Sequence, residues 1–346
     1  MNSAQPQFET FIVDPKQENA DFRQSDQALP LGDRRDGLFY YYTQDIKLAI
    51  RVALAVGRPL LLLGPSGCGK SSLAFNLARL MRRRYYEFVV QARTQAQELF
   101  YRFDAIRRLG EAQASAASSG QDATNWRSCY PFVEPGPLWW VFDPASAIRR
   151  GAPSNATFIQ PPLDPGRWPD DFLDPGRREK NSAPNHENAV LLIDEIDKAE
   201  PDFPNNLLVP LGSQQFTIEE TGDVIALGAG SGSTTTAPLI VITSNREREL
   251  PDAFIRRCIV LEIEPPKREY LITLAQETFK RTDNTANDRF KAMADKLIEI
   301  RGEKHLSAAE FLDVVRAIDA LGAEESEWEQ LIRRTTWTAT DSIGSQ

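Results

Sequence analysis

Pro59-Leu-Leu-Leu-Leu-Gly64-Pro65-Ser66-Gly67-Cys68-Gly69-Lys70-Ser71-Ser72 decides the fold. Four leucines read as a short buried strand, and Gly64-x-x-x-x-Gly69-Lys70-Ser71 reads as a phosphate-binding loop that opens a helix. Gly64, Gly67 and Gly69 let the backbone turn its N–H groups toward phosphate oxygens. The helix that follows adds its positive N-terminal end. Lys70 is placed to reach the β- and γ-phosphates, and the Ser71 hydroxyl to ligate Mg²⁺. The plainer reading is a glycine-rich turn without a ligand. The complete pattern, set between an apolar run and a helical one, argues against it. The chain is therefore expected to bind a nucleoside triphosphate through Gly64–Ser72.

The bulk properties narrow what surrounds this loop. The chain has 346 residues, enough for two or three domains, and 41 % of them are hydrophobic. No apolar run approaches the ~20 residues that cross a bilayer, and Met1–Asp36 lacks the apolar core of a secretory leader. Cys68, Cys129 and Cys258 are too few and too scattered for a disulfide framework or a zinc site. These features point to the cytoplasm and exclude membrane insertion. A net charge of −9 and a pI near 5.1 weigh against bulk nucleic-acid affinity.

Outward from the loop, Ile46, Ala49, Ile50, Ala53 and Leu54 recur at helical spacing, and Gly57-Arg58-Pro59 closes that helix. The loop helix is expected from Lys70 to about Arg84, with Arg82-Arg83-Arg84 at its end as partners of the helix dipole. Tyr86–Val90 reads as the second strand. Leu99–Leu109 suggests a short amphipathic helix, and the Ala/Ser/Gln-rich Glu111–Thr124 a loop. The prolines of Tyr130–Trp140 forbid a central strand, and the Trp139-Trp140 pair reads as core. Residues 151–188 form an insertion dense in Pro, Gly and Asp. It contains two Leu-Asp-Pro-Gly-Arg turns, at Leu163–Arg167 and Leu173–Arg177.

A second apolar strand, Ala189–Ile193, ends in Asp194 and Glu195, and such continuous runs suit a parallel sheet covered on both faces. Asp194 is the candidate Mg²⁺ ligand with Ser71, directly or through water. Glu195 is the candidate that polarises an attacking water, which favours hydrolysis over transfer to a second substrate. A third strand, Pro238–Ile242, leads to Asn245. That amide either orients the water or the γ-phosphate, or merely caps a turn. Arg256 and Arg257 follow, ahead of a further strand at Ile259–Ile263. Their readings are a helix-end pair or an arginine finger for a neighbouring subunit's γ-phosphate.

In this order, the phrases Gly57–Lys70, Phe132-Val-Glu-Pro-Gly-Pro-Leu138, Leu192-Ile-Asp-Glu-Ile-Asp-Lys-Ala199 and Thr243–Cys258 resemble the AAA+ ATPases. Within them they look like the MoxR group of the helix-2-insert branch, over roughly residues 40–322. The resemblance implies an α/β fold with a three-layer parallel-sheet core and a C-terminal helical lid. It implies ATP and Mg²⁺ as ligands. Lys70 and Ser71 match Walker A, Asp194 and Glu195 match Walker B, and Asn245 matches sensor 1. Arg257 is the best match for the finger, with Arg256 beside it. For sensor 2, Arg301 and Lys304 both stand before the capping-box sequence Leu306-Ser307-Ala-Ala-Glu310, and the sequence does not choose between them. The family forms rings, usually of six, and remodels or activates protein partners, often ones with a von Willebrand A-type domain.

The expected organisation is a polar arm at 1–36 and a nucleotide-binding domain at 37–265 interrupted by 151–188. A helical lid follows at 266–322, then a tail at 323–346. Three other readings compete with the remodelling ATPase: a nucleic-acid motor of the restriction type, a nucleotide-gated switch with slow turnover, and a small-molecule kinase. The acidic balance weighs against the first, and a kinase has no need of Asn245 or Arg257.

Overall fold

The structure is a computed structural model that describes residues 40, 42–81, 83–117, 125–156, 161–167, 189–228, 237–279, 281–302 and 306–336. The expected arm at 1–36, the turn at Leu173–Arg177, Lys304 and the end of the tail lie outside the described residues. In chain order the elements begin with helix α1 (Gln44–Val56), strand β1 (Leu60–Leu63), α2 (Lys70–Leu80) and β2 (Arg84–Val89). A short helix α3 (Gln97–Phe100), β3 (Tyr101–Phe103), α4 (Ala105–Ala117), β4 (Val133–Pro135), α5 (Pro137–Phe142) and α6 (Pro144–Ala147) follow. Then come β5 (Ala189–Asp194), α7 (Asp202–Asn206), α8 (Leu208–Ser213) and the strands β6 (Gln215–Thr217), β7 (Val224–Ala226) and β8 (Leu239–Ser244). The chain continues through α9 (Asp252–Ile255), β9 (Ile259–Glu262), α10 (Arg268–Phe279), α11 (Asn284–Arg301), α12 (Ala308–Leu321) and α13 (Trp328–Thr335). No described helix is long and apolar enough to cross a membrane.

The chain divides into two compact units. One comprises 45–62 and 77–261. The other comprises 63–76 and 262–346, with the residues up to 44.

The first unit carries a five-stranded parallel sheet in the order β2-β5-β8-β1-β9. Its central strands read as unbroken apolar runs because both faces are covered. Leu191, Leu192, Ile193, Val241 and Ile242 are fully buried, and Ile193 pairs with Ile242 in parallel register. That register brings the ends of β5 and β8 side by side, which places Asp194 next to Thr243.

Three expectations change here. The loop helix stops at Leu80, not Arg84, so the arginine run does not serve its dipole. Arg83 is buried instead and donates to the Ala237 carbonyl at 3.2 Å. Burial lowers its guanidinium to about 10. Arg84 has become the first residue of β2, where it pairs with Asp164 at 2.9 Å. The amphipathic segment resolves into α3, the three-residue strand β3 and α4, and α4 runs to Ala117, through the first half of the expected loop. β3 exists because it pairs antiparallel with β4, Tyr101 opposite Pro135. Proline is tolerated in so short a ladder at an edge. Gly136 is required where α3 approaches α5, since a Cβ there would lie 2.5 Å from the Leu99 carbonyl oxygen.

Trp139 and Trp140 are core, at 0 % and 1 % exposure. Within the insertion, the Leu163–Arg167 turn is docked on β2. Tyr85 and Arg167 exchange two backbone hydrogen bonds of 2.8 Å, and Asp164 Oδ1 accepts from the Gly166 N–H.

The second unit contains the phosphate loop and four helices, α10 to α13. Leu271, Phe290, Met293, Leu297, Phe311 and Ile332 form its core. Ser307 caps α12 by accepting from the Glu310 N–H, which satisfies one of the donors a helix start leaves open.

Candidate functional site

The loop Gly64–Ser71 owes its shape to backbone positions that exclude a side chain. Gly67 has φ +77° and Gly69 φ +92°, in the left-handed half of conformational space. A Cβ on Gly67 would lie 2.9 Å from Ser307 Cβ and closer still to the Ser307 hydroxyl. A Cβ on Gly64 would overlap the Ile263 carbonyl oxygen. The Gly67 carbonyl accepts from the Ala308 N–H at 3.2 Å and from the Ser307 hydroxyl at 3.4 Å. The start of α12 thus holds the loop. Pro65 and Ser66 are exposed, Ser71 and Ser72 half-buried.

Lys70 is 5 % exposed, and its ammonium donates to the Gly64 and Pro65 carbonyls at 2.8 and 2.7 Å. A buried cation, three glycines at Gly64, Gly67 and Gly69, and a helix start together fit a polyphosphate chemically.

Tyrosines border this loop. The Tyr40 ring lies 3.3 Å from where a Gly69 Cβ would stand, and its hydroxyl stays protonated well past its ordinary range because it is buried. Tyr42 meets Tyr40 edge-on at 5.3 Å between ring centres and donates to Asn76 Oδ1 at 2.6 Å. Burial raises the Tyr270 phenol to about 12. It raises the Cys68 thiol as well, against the opposing pull of Lys70. Cys68 is therefore a buried, protonated packing group of the loop.

The acids lie in the other unit. Asp194 ends β5 and is 1 % exposed. The Thr243 hydroxyl donates to its Oδ1 at 2.6 Å, and the same oxygen of Thr243 accepts from the Glu195 N–H at 2.8 Å. Glu195 leaves the strand in the left-handed region, at φ 60° and ψ 47°. Its carboxylate is half-buried between two donors. Lys198 Nζ bonds Oε2 at 2.7 Å, and Asn245 Nδ2 stands 3.5 Å from Oε1. The Glu195 carboxylate raises the Lys198 ammonium through that hydrogen bond. Glu195 and Asn245, named separately from the sequence, are thus brought together at the ends of neighbouring strands.

The arginines stand apart from this cluster. Arg256 and Arg257 follow α9 and are both exposed. Arg257 folds back so that Nη1 donates to the Ala253 carbonyl at 2.9 Å, while its own carbonyl accepts from Arg58 Nε at 3.0 Å. Of the two sensor 2 candidates, Arg301 ends α11, and its charge lowers the Glu310 carboxyl against the larger upward effect of burial.

Thr243, Asp197 and Lys198 belong to the site and were given no role from the sequence. Thr243 was legible as the first polar residue of an apolar strand next to the acids. Lys198 stands three residues after Glu195, one helical turn on. Asp197 carried no signal, because its partners lie 48 and 50 residues further on.

A family model described as AAA domain, dynein-related subfamily, matches residues 59–258. No curated protein matches the chain. Among solved structures, two mutants of RuvB from Thermotoga maritima align with TM-scores of 0.41 and 0.39. Each is 13 % identical over 85 % of this chain and 67 % of the other. A third, described as the Thermotoga maritima RuvB Holliday junction branch migration motor, aligns at 0.36 and 13 % identity, over 84 % of this chain and 65 % of the other.

Proposed function

Because the chain belongs to the AAA domain family, dynein-related subfamily, we propose that it hydrolyses ATP to ADP and phosphate with Mg²⁺. We place the activity in a ring of its own copies, six in number, that remodels or activates a protein partner in the cytoplasm. One observation carries the hydrolytic part: the Glu195 carboxylate faces the Asn245 amide at 3.5 Å, beside the buried Asp194. The two side chains are thus in marginal hydrogen-bond contact and converge on one point, where a water beside them meets a proton acceptor in Glu195 and an orienting amide in Asn245.

Each residue then has a task. The backbone of Gly64–Gly69 and the Lys70 ammonium bind the phosphates, and Ser72 continues the helix start behind them. Ser71 and Asp194 would hold Mg²⁺, which would supply charge neutralisation to the phosphates. Glu195 takes the proton of the attacking water, and Asn245 aims it. Arg257, with Arg256 beside it, stabilises the transition-state charge on a neighbouring copy. A remodelling role in the MoxR manner is supported by the β3–α4–β4 segment inserted between the short helices α3 and α5. On that reading the partner is a protein of the von Willebrand A type, and nucleic acid is not the substrate.

The test is ATP turnover by the wild type, Lys70→Ala, Glu195→Gln and Arg257→Ala, with solution mass measured with and without ATP. The expected pattern is lost nucleotide binding for Lys70→Ala and retained binding without turnover for Glu195→Gln. Arg257→Ala is expected to assemble without turning over. Normal turnover by a monomeric Arg257→Ala overturns the shared site, and normal turnover by Glu195→Gln overturns the hydrolytic assignment.

A further inference from the structure

We propose that Asp197 is the positioning residue for Asn245, and that through it the turn after β8 is held against the turn after β5. The inference rests on the hydrolytic reading above and adds a residue to it. Asp197 is 2 % exposed although charged. Its Oδ2 accepts two backbone N–H groups, from Asn245 at 3.0 Å and from Glu247 at 2.9 Å. Between those two donors Arg246 stands at φ 62°, a left-handed conformation that a non-glycine residue adopts only when its surroundings impose it. The Arg246 N–H is turned away from Asp197 and donates to the Ser244 hydroxyl at 3.0 Å.

The turn is thus pinched so that alternate N–H groups converge on one carboxylate oxygen. A buried charge costs free energy unless it is hydrogen-bonded; the two amides satisfy Oδ2, while Oδ1 is buried without a hydrogen-bond partner. What Asp197 receives in hydrogen bonds it returns as geometry. The Asn245 backbone is fixed relative to the segment that carries Glu195, only two residues before Asp197. The 3.5 Å separation between the Asn245 amide and the Glu195 carboxylate follows from this tie.

A purely structural role predicts that losing Asp197 costs activity by the same factor whether or not Asn245 is present. A positioning role predicts that the cost disappears once Asn245 is gone, because nothing is left to position. The test is therefore a double-mutant cycle of Asp197→Ala and Asn245→Ala in the full chain, read as kcat for ATP and, separately, as affinity for a fluorescent ATP analogue. Misplacing a reacting group by about 1 Å costs on the order of a hundredfold. Asp197→Ala is accordingly expected to lower kcat 10- to 100-fold with unchanged nucleotide affinity. In the Asn245→Ala background the same change is expected to cost less than about twofold. Asp197→Asn keeps one acceptor oxygen for both amides and is expected to recover kcat to within about threefold of wild type, since neutral acceptors hold an amide less strongly than charged ones.

If Asp197→Ala does not fold, Asp197→Glu runs the same cycle, because it keeps the charge and shifts the oxygens by one methylene. Equal factors in both backgrounds, or an unchanged kcat in Asp197→Ala, overturn the proposal. A wild type that binds ATP without hydrolysing it, or does not bind it, overturns the functional reading and takes this inference with it.

Discussion

Replacing Thr243 by valine removes the hydroxyl that ties the two acids together and leaves the shape of the side chain. Thr243 is fully buried, so neither partner finds water in its place. Two bonds are lost: Glu195 N–H to Oγ1 at 2.8 Å, and Oγ1–H to Asp194 Oδ1 at 2.6 Å. A net neutral hydrogen bond is worth about 0.5–1.5 kcal/mol, and one to a charged group about 1.5–3 kcal/mol. Their sum is about 2–4.5 kcal/mol, reduced by roughly 1 kcal/mol because valine no longer buries a hydroxyl. The expectation is a loss of about 1–3.5 kcal/mol, measured as a lower urea midpoint at constant m-value. Thr243→Ser is the control. It keeps both bonds and loses one methyl, at about 1 kcal/mol. If valine and serine cost the same, or if valine is as stable as threonine, the hydroxyl is not what holds the acids, and the reasoning fails.

Gly67→Ala is expected to lower stability by at least about 1–2 kcal/mol, from its left-handed φ alone. Adding Ser307→Gly should return the part due to the clash with Ser307 and leave the backbone part, which thermal melts of the single and double variants will separate. Glu195→Gly is expected to be more stable than Glu195→Ala by about 1 kcal/mol, because only glycine relieves the left-handed φ of 60°. Equal midpoints would mean the conformation carries no strain. The Tyr270 phenol is raised to about 12, so between pH 10 and pH 12 the unfolded chain releases this proton while the folded one keeps it. Stability should then fall as pH rises through that window, by about 1–2 kcal/mol. Urea midpoints at both ends of the window should show a shallower fall in Tyr270→Phe.

The parts of the fold that were legible are those in which local pattern and tertiary environment agree. β1, β5 and β8 are continuous apolar runs because a doubly covered parallel strand has no polar face. The phosphate loop is legible because its glycines answer to backbone geometry. Helix α12 carries its own start signal, the capping box at Ser307. Two of the failures share one cause, partners remote in sequence, and the third is local. Arg83 looked like a dipole partner because its acceptor, the Ala237 carbonyl, is 154 residues away. β3 has only three residues and no strand pattern of its own, and β4 makes it a strand. The Ala- and Ser-rich stretch read as a loop continues as helix, since alanine is the best helix former and needs no apolar stripe to extend an existing turn.

The candidate site divides along the same line. Residues proposed to meet the substrate are constrained in type by its chemistry, so Lys70, Ser71, Asp194, Glu195 and Asn245 stand out one by one. Residues that aim them are constrained by geometry, and many residue types meet a geometric demand. The role of Asp197, and the partners of Thr243, are visible only once β5 and β8 lie side by side. The conformation of Glu195 shows what the aiming is for. In a strand, successive side chains alternate between faces, and Glu195 would point away from Asp194. The left-handed turn breaks that alternation at a cost of roughly 1–2 kcal/mol. The break persists because Thr243 holds the Glu195 N–H, while Asp197, two residues on, fixes the facing turn. Such strain concentrates where a chain must present a group that its regular structure would misdirect. The buried Asp194 needs no such device, because a side chain at a strand end already points where the strand sends it.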